Sequence, residues 1–190
     1  MSFENWWRYQ RARLLVFFNR TDRAIEELLA LLQYDPSQMR AASLLGYLYG
    51  TRRQYALAAE QFRKALRAQP DSAVLLFDLA YVLHLNHEYE TAIESFRRAI
   101  AIDKMLDRAW YGMGLALAAL GRQAEAVTAF EEASRLQPMN GYAWYELGMT
   151  YHALGRRDKL AEVVAYLNRV DPKSGQQLVR DTAKPAASPE

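Results

Sequence analysis

Four of the six prolines, Pro36, Pro70, Pro138 and Pro172, are separated by 34, 68 and 34 residues. A fixed interval of this size constrains a chain more than its composition does, because each interval must build the same supersecondary unit and stack it on the next. The missing step falls at Lys104, in Ala101-Ile102-Asp103-Lys104, where the surrounding pattern persists. The interval defines five frames: 5–38, 39–72, 73–106, 107–140 and 141–174. Ala12, Gly46, Ala80, Gly114 and Gly148 recur at one position, and Ala24, Ala58, Ala92 and Ala126 at another. Leu28, Phe62, Phe96, Phe130 and Val164 share a third, and Leu31, Ala65, Ala99, Ala133 and Leu167 a fourth.

Each frame reads as two antiparallel helices. Leu76, Leu79, Ala80 and Leu83 are three, four and seven apart, which puts them on one face of a first helix. The second helix repeats a small/large/small spacing, as in Ala58, Phe62 and Ala65, so a ring fills the space that small neighbours leave. Short polar turns join the two, for example Asn86-His87-Glu88 and Gly121-Arg122-Gln123. Proline at the next junction stops one helix and favours the start of another. Gly and Pro together number only 15, where an average chain carries roughly 12% of the two, and this scarcity agrees with an all-helical chain.

The middle frames resemble the tetratricopeptide repeat family: Trp110-x-x-Met113-Gly114-x-x-Leu117 with Ala126, Phe130, Ala133 and Pro138, then Trp144-x-x-Leu147-Gly148-x-x-Tyr151 with Pro172. The resemblance covers residues 5–174 and implies an all-α, right-handed solenoid of antiparallel helix pairs forming a single domain. The first frame is divergent, with Arg8 and Arg11 where large apolar residues are common, and the last has Leu160, Val164 and Leu167 in its second helix. Terminal repeats are often atypical, since one side lacks a repeat partner. Residues 175–190 are expected to supply a short cap and a tail, the last ten residues being disordered.

The family resemblance also implies a concave groove lined by residues two, five, nine and twelve of each frame. These give Tyr9, Arg13, Arg40, Tyr47, Phe77, Tyr81, His84, Arg108, Tyr111, Tyr142, Tyr145 and His152 as its rings, cations and histidines, with Trp6, Val16, Val74 and Met149 among the others. The expected face is aromatic and mildly basic, with almost no acid. Tyrosine offers contact area at low entropic cost and arginine can hold a carboxylate in a bidentate pair. Family members that clamp a terminal carboxylate carry Lys, Asn, Asn, Lys and Arg where this chain has Ser43, Tyr47, Asp78, Arg108 and Gly112. Only Arg108 has suitable charge, so an internal peptide segment or a folded partner fits better.

Other chemistries are poorly provided for. Charge is nearly balanced, with 24 basic and 22 acidic residues, and no concentrated basic face points to nucleic acid. The chain has no cysteine, no Gly-rich phosphate loop, no GxSxG elbow and no HExxH spacing. His84 and His87 with Glu88 fall short of a zinc set, so neither a catalytic centre, a metal nor a cofactor is expected. The apolar residues Phe3, Trp6, Trp7, Leu14, Leu15, Val16, Phe17 and Phe18 are too interrupted for a signal or a membrane span. They are expected to pack on the following helix, with membrane-surface contact disfavoured and a cytoplasmic location as the default. The expected function is a non-enzymatic scaffold that binds a polypeptide in the groove. Two alternatives are a structural adaptor that self-associates through its terminal repeats, and a chaperone for secretion or assembly.

Overall fold

The computed structural model describes residues 3–183, without the side chain of Phe3. Eleven α-helices and no strand occur among the described residues. They form two compact units, one ending at Ile102 and the other beginning at Asp103.

The first unit holds three antiparallel pairs: α1 (Phe3–Phe17) with α2 (Thr21–Tyr34), α3 (Met39–Thr51) with α4 (Tyr55–Ala68), and α5 (Ala73–Leu85) with α6 (Tyr89–Ile102). Each pair also packs on the next, α2 against α3 and α4 against α5. The second unit holds α7 (Asp107–Ala119) with α8 (Gln123–Leu136) and α9 (Gly141–Ala153) with α10 (Arg157–Val170). A final helix, α11 (Pro172–Ala183), lies against both α9 and α10.

The small residues of the repeat are the innermost. Ala24, Ala58, Ala92 and Ala126 are wholly inaccessible, as are Phe96 and Phe130. At two of these crossings the first helix carries glycine, while at a third, under Phe96, it carries Ala80. A Cβ on Gly114 would stand 2.6 Å from the Phe130 ring, and one on Gly46 would stand 3.1 Å from the Phe62 ring. The last pair solves the problem differently. Val164 replaces the ring, and the space over Gly148 is filled by Leu178 of α11, whose side chain a Cβ there would meet.

The turn inside every pair is the same Schellman motif. Asn19, Arg53, His87, Gly121 and Gly155 have positive φ, between 55° and 73°, and stand 34 residues apart. In each case the following N–H reaches back to the first helix: Arg20 to Leu15, Gln54 to Tyr49, Glu88 to Leu83, Arg122 to Leu117 and Arg156 to Tyr151, at 2.7–2.9 Å. These bonds satisfy carbonyls that the helix end would otherwise leave unpaired.

The turns that lead into α7 and α9 are each held by a tryptophan. Trp110 Nε1 donates to the carbonyl of Lys104 at 3.1 Å, and Trp144 Nε1 donates to that of Pro138 at 3.0 Å. Pro36, Pro70 and Pro138 lie in turns, whereas Pro172 is the first residue of α11, a position where its missing N–H costs nothing. Asp171 caps that helix, accepting from the Ser174 hydroxyl at 2.6 Å.

Two expectations are corrected. Residues 181–183 are helical rather than disordered, because Asp181 and Leu178 tie α11 to α9; residues 184–190 lie outside the described residues. The aromatic residues of the first helix do not all pack inward. Leu15 and Val16 join the core of the first pairs, but Trp6, Trp7, Leu14, Phe17 and Phe18 are exposed, because Ala12 and Asn5 define the face that α2 covers. Arg8 and Arg11 find acids instead of apolar neighbours: Arg8 pairs with Glu4 at 3.0 Å and Arg11 with Glu27 at 3.4 Å.

Candidate functional site

All twelve of the groove residues expected from sequence retain solvent access. Arg13, Arg40, Tyr47, Tyr81, Arg108, Tyr142 and His152 are exposed, while Tyr9, Phe77, His84, Tyr111 and Tyr145 are partly buried. They come from the first helices α1, α3, α5, α7 and α9, one turn or so apart along each.

In the first unit the best-defined group is on α5. Phe77 stacks on Tyr81, with ring centroids 6.2 Å apart and planes within 14°, and tilts against Phe96 of α6 at 6.0 Å. Phe96 is immobilised in the core, so it fixes Phe77, and Phe77 in turn braces Tyr81, which is 50% exposed. One turn further on, the His84 ring meets Tyr89 at 5.4 Å, while His87 Nδ1 and the Tyr89 hydroxyl share a hydrogen bond of 2.7 Å. His84 Nδ1 is the one buried side-chain polar atom without a hydrogen-bond partner among the described residues. Burial, and secondly the charge that His87 can carry, lower the pKa of His84. It is therefore neutral near pH 7.

In the second unit the same arrangement recurs on α7. Tyr111, 34 residues after Phe77, tilts against Phe130 at 5.9 Å and 57°, much as Phe77 does against Phe96 at 6.0 Å and 54°. Burial, then the nearby Glu146 carboxylate, push the Tyr111 phenol up to about 12. Tyr142 on α9 is 75% exposed. Tyr145 is engaged from within the chain, since its hydroxyl donates to Asp181 Oδ2 of α11 at 2.8 Å. Its pKa also rises to about 12, by burial first and by the bond to Asp181 second.

The face is less free of acid than the sequence suggested. Glu146, partly buried on α9, has its carboxyl raised by desolvation, and Asp181 reaches the site from α11. Glu146 occupies the sixth place of its frame, as Asp78 does, just outside the set of positions read as the groove; that recurrence at 68 residues was the available signal. Nothing in the period could signal Asp181, which follows the repeats. Among the described residues no three His, Asp or Glu side chains converge as a metal set would. No helix among them is long and apolar enough to cross a membrane.

Two family descriptions match the chain: Tetratricopeptide repeat over residues 9–73 and 44–104, and TPR repeat over residues 114–155. Among solved structures, the chain is similar to YrrB, described as a TPR protein with an unusual peptide-binding site, at 26% identity and TM-score 0.80 over 91% of this chain and 90% of that one. It is also similar to MamA, at 25% identity and TM-score 0.78 over 92% and 97% of the two chains. A MamA from Desulfovibrio magneticus RS-1 shares the fold at 17% identity, TM-score 0.80, over 97% and 99%. No curated protein matches the chain.

Proposed function

Because the chain belongs to the tetratricopeptide repeat family, we propose that it is a non-enzymatic interaction module that binds a polypeptide on the aromatic face of its first helices. The observation that carries this reading is the repeated bracing of an accessible ring by a core phenylalanine, Phe77 on Phe96 and Tyr111 on Phe130. A ring held from behind loses little entropy when a ligand covers its front, so its burial goes into affinity. Tyr81 and Tyr142 add exposed aromatic area beside these braced rings. Arg40 and Arg108 supply cations for carboxylates, and the neutral His84 lies one turn beyond Tyr81. The peptide-binding description of YrrB, which has the same fold, supports this use of it.

The test is a selection of displayed peptides on the full chain, followed by anisotropy titration of those recovered. Peptides should bind the native chain and lose at least about tenfold in affinity to Tyr81→Ala/Tyr111→Ala/Arg108→Ala, an aromatic and Arg set that typically dominates interface energies. Recovery of the same affinities by a variant with native circular dichroism would overturn the assignment of the groove.

A further inference from the structure

Glu146 stands on the aromatic face of the second unit without a partner. Tyr142, Tyr145, Glu146 and Met149 fall at i, i+3, i+4 and i+7 of α9 and so share one side of it. Tyr111 reaches this side from α7, close enough that charge on Glu146 or Tyr142 acts on its phenol. Asp181 reaches it from α11, accepting from the Tyr145 hydroxyl at 2.8 Å. Glu146 itself is partly buried, yet among the described residues no hydrogen bond or ion pair reaches its carboxylate. Desolvation alone raises its pKa, with no nearby cation to oppose it. Asp78, the other acid at this place of the repeat, does have a partner within the chain.

A carboxylate stripped of part of its water and given nothing in exchange is costly to the free chain, and a cation brought by a ligand offsets that cost. The surrounding rings select the kind of cation. A tyrosine face attracts positive charge and also covers apolar area, and lysine and arginine carry their charge at the end of an apolar stem. A metal ion would need several oxygen ligands, and no such set converges among the described residues. Tyr142, 75% exposed, leaves the approach to Glu146 open to a side chain from solution. We propose that the second unit receives a lysine or arginine side chain of the bound polypeptide, its charge set on Glu146 and its stem laid against Tyr111 and Tyr142. This assignment rests on the aromatic face being the surface that binds a polypeptide, and it adds the chemistry of one residue of that ligand.

Displayed peptides are selected in parallel on the full native chain and on full-length Glu146→Gln, which keeps the shape of the side chain and is checked by circular dichroism. Peptides recovered on the native chain should share a lysine or arginine at one place. Replacing that residue by norleucine should weaken binding, read by fluorescence anisotropy, at least about tenfold. To Glu146→Gln the two peptides should bind alike, because the pairwise interaction is gone. Peptides that share no basic residue, or whose norleucine penalty is undiminished in Glu146→Gln, would overturn the proposal and leave the aromatic face standing as a polypeptide site. If no peptide is recovered, the polypeptide site falls, and N-acetylarginine methylamide decides the cation site alone. Shifts it causes in the isotope-labelled rings of Tyr111 and Tyr142, removed by Glu146→Gln, would uphold that site; their absence would overturn it.

Discussion

The crossing of Gly114 and Phe130 offers a measurable test of how tightly the pairs are built. An alanine Cβ at position 114 would stand 2.6, 2.7 and 2.9 Å from three carbons of the Phe130 ring, where ordinary carbon contacts are about 3.5–4.0 Å. The ring must retreat by roughly 1 Å to restore that contact. It has little room, being wholly buried with Tyr111 against it at 5.9 Å. Overpacking of this kind costs about 1–3 kcal/mol, against a gain of about 1 kcal/mol for alanine over glycine inside a helix. Gly114→Ala should therefore destabilise the second unit by up to about 2 kcal/mol. Gly46→Ala meets Phe62 at 3.1–3.2 Å, a smaller overlap, and should be close to neutral. Urea unfolding followed by tryptophan fluorescence in a Trp6→Phe/Trp7→Phe background reads the second unit through Trp110 and Trp144, and far-ultraviolet circular dichroism reads both units. Phe130→Leu in the Gly114→Ala background should return part of the loss, a coupling of about 1 kcal/mol. The reasoning fails if Gly114→Ala matches or exceeds native stability, or if Gly46→Ala is the more damaging of the two.

Three further outcomes follow from the geometry. Tyr111 should titrate near 12 rather than 10 in an ultraviolet difference titration. Between those values the folded chain keeps a proton that the unfolded chain releases, so stability falls as pH rises through that window; Tyr111→Phe should flatten the slope. Trp144→Phe removes the bond to the Pro138 carbonyl and should cost about 1 kcal/mol, visible as faster amide exchange at the start of α9. In the turns, Arg53→Gly relieves a positive φ and should stabilise by up to about 1 kcal/mol, whereas Gly121→Ala should destabilise by about 1 kcal/mol, both read as shifts of thermal midpoint.

The helix pairs were legible because their determinants are local and repeated. Ala58, Phe62 and Ala65 announce a buried stripe by spacing alone, and the same stripe returns in the next frames. The solvent access of Tyr47 and Tyr81 was also legible, since each stands two places from a buried leucine, Leu45 or Leu79, and so turns to the opposite side of its helix. What sequence could not supply was whatever depends on a single, unrepeated contact. Asp181 meets Tyr145 across 36 residues, and Leu178 fills the place of a ring over Gly148; neither has a counterpart in another frame. The exposed Trp7 and Leu14 misled for a related reason. Their residue type says core, but the burial of that line in α3 and α9 is provided by a preceding helix, and no described helix precedes α1. The Schellman turns lay hidden too, because three of the five left-handed positions are Asn, Arg and His rather than glycine.

The bond from Trp110 to Lys104 separates the visible mark of a boundary from the atom that maintains it. Proline advertises the junction in the sequence, yet the indole holds a main-chain carbonyl, whether Lys104 or Pro138 provides it. Every residue type owns that carbonyl. The side chain at the boundary is thus free to drift, or to be recruited for charge, without the repeat losing its register. Removing the indole instead would erase the restraint while leaving the proline signature intact to any reader of the sequence.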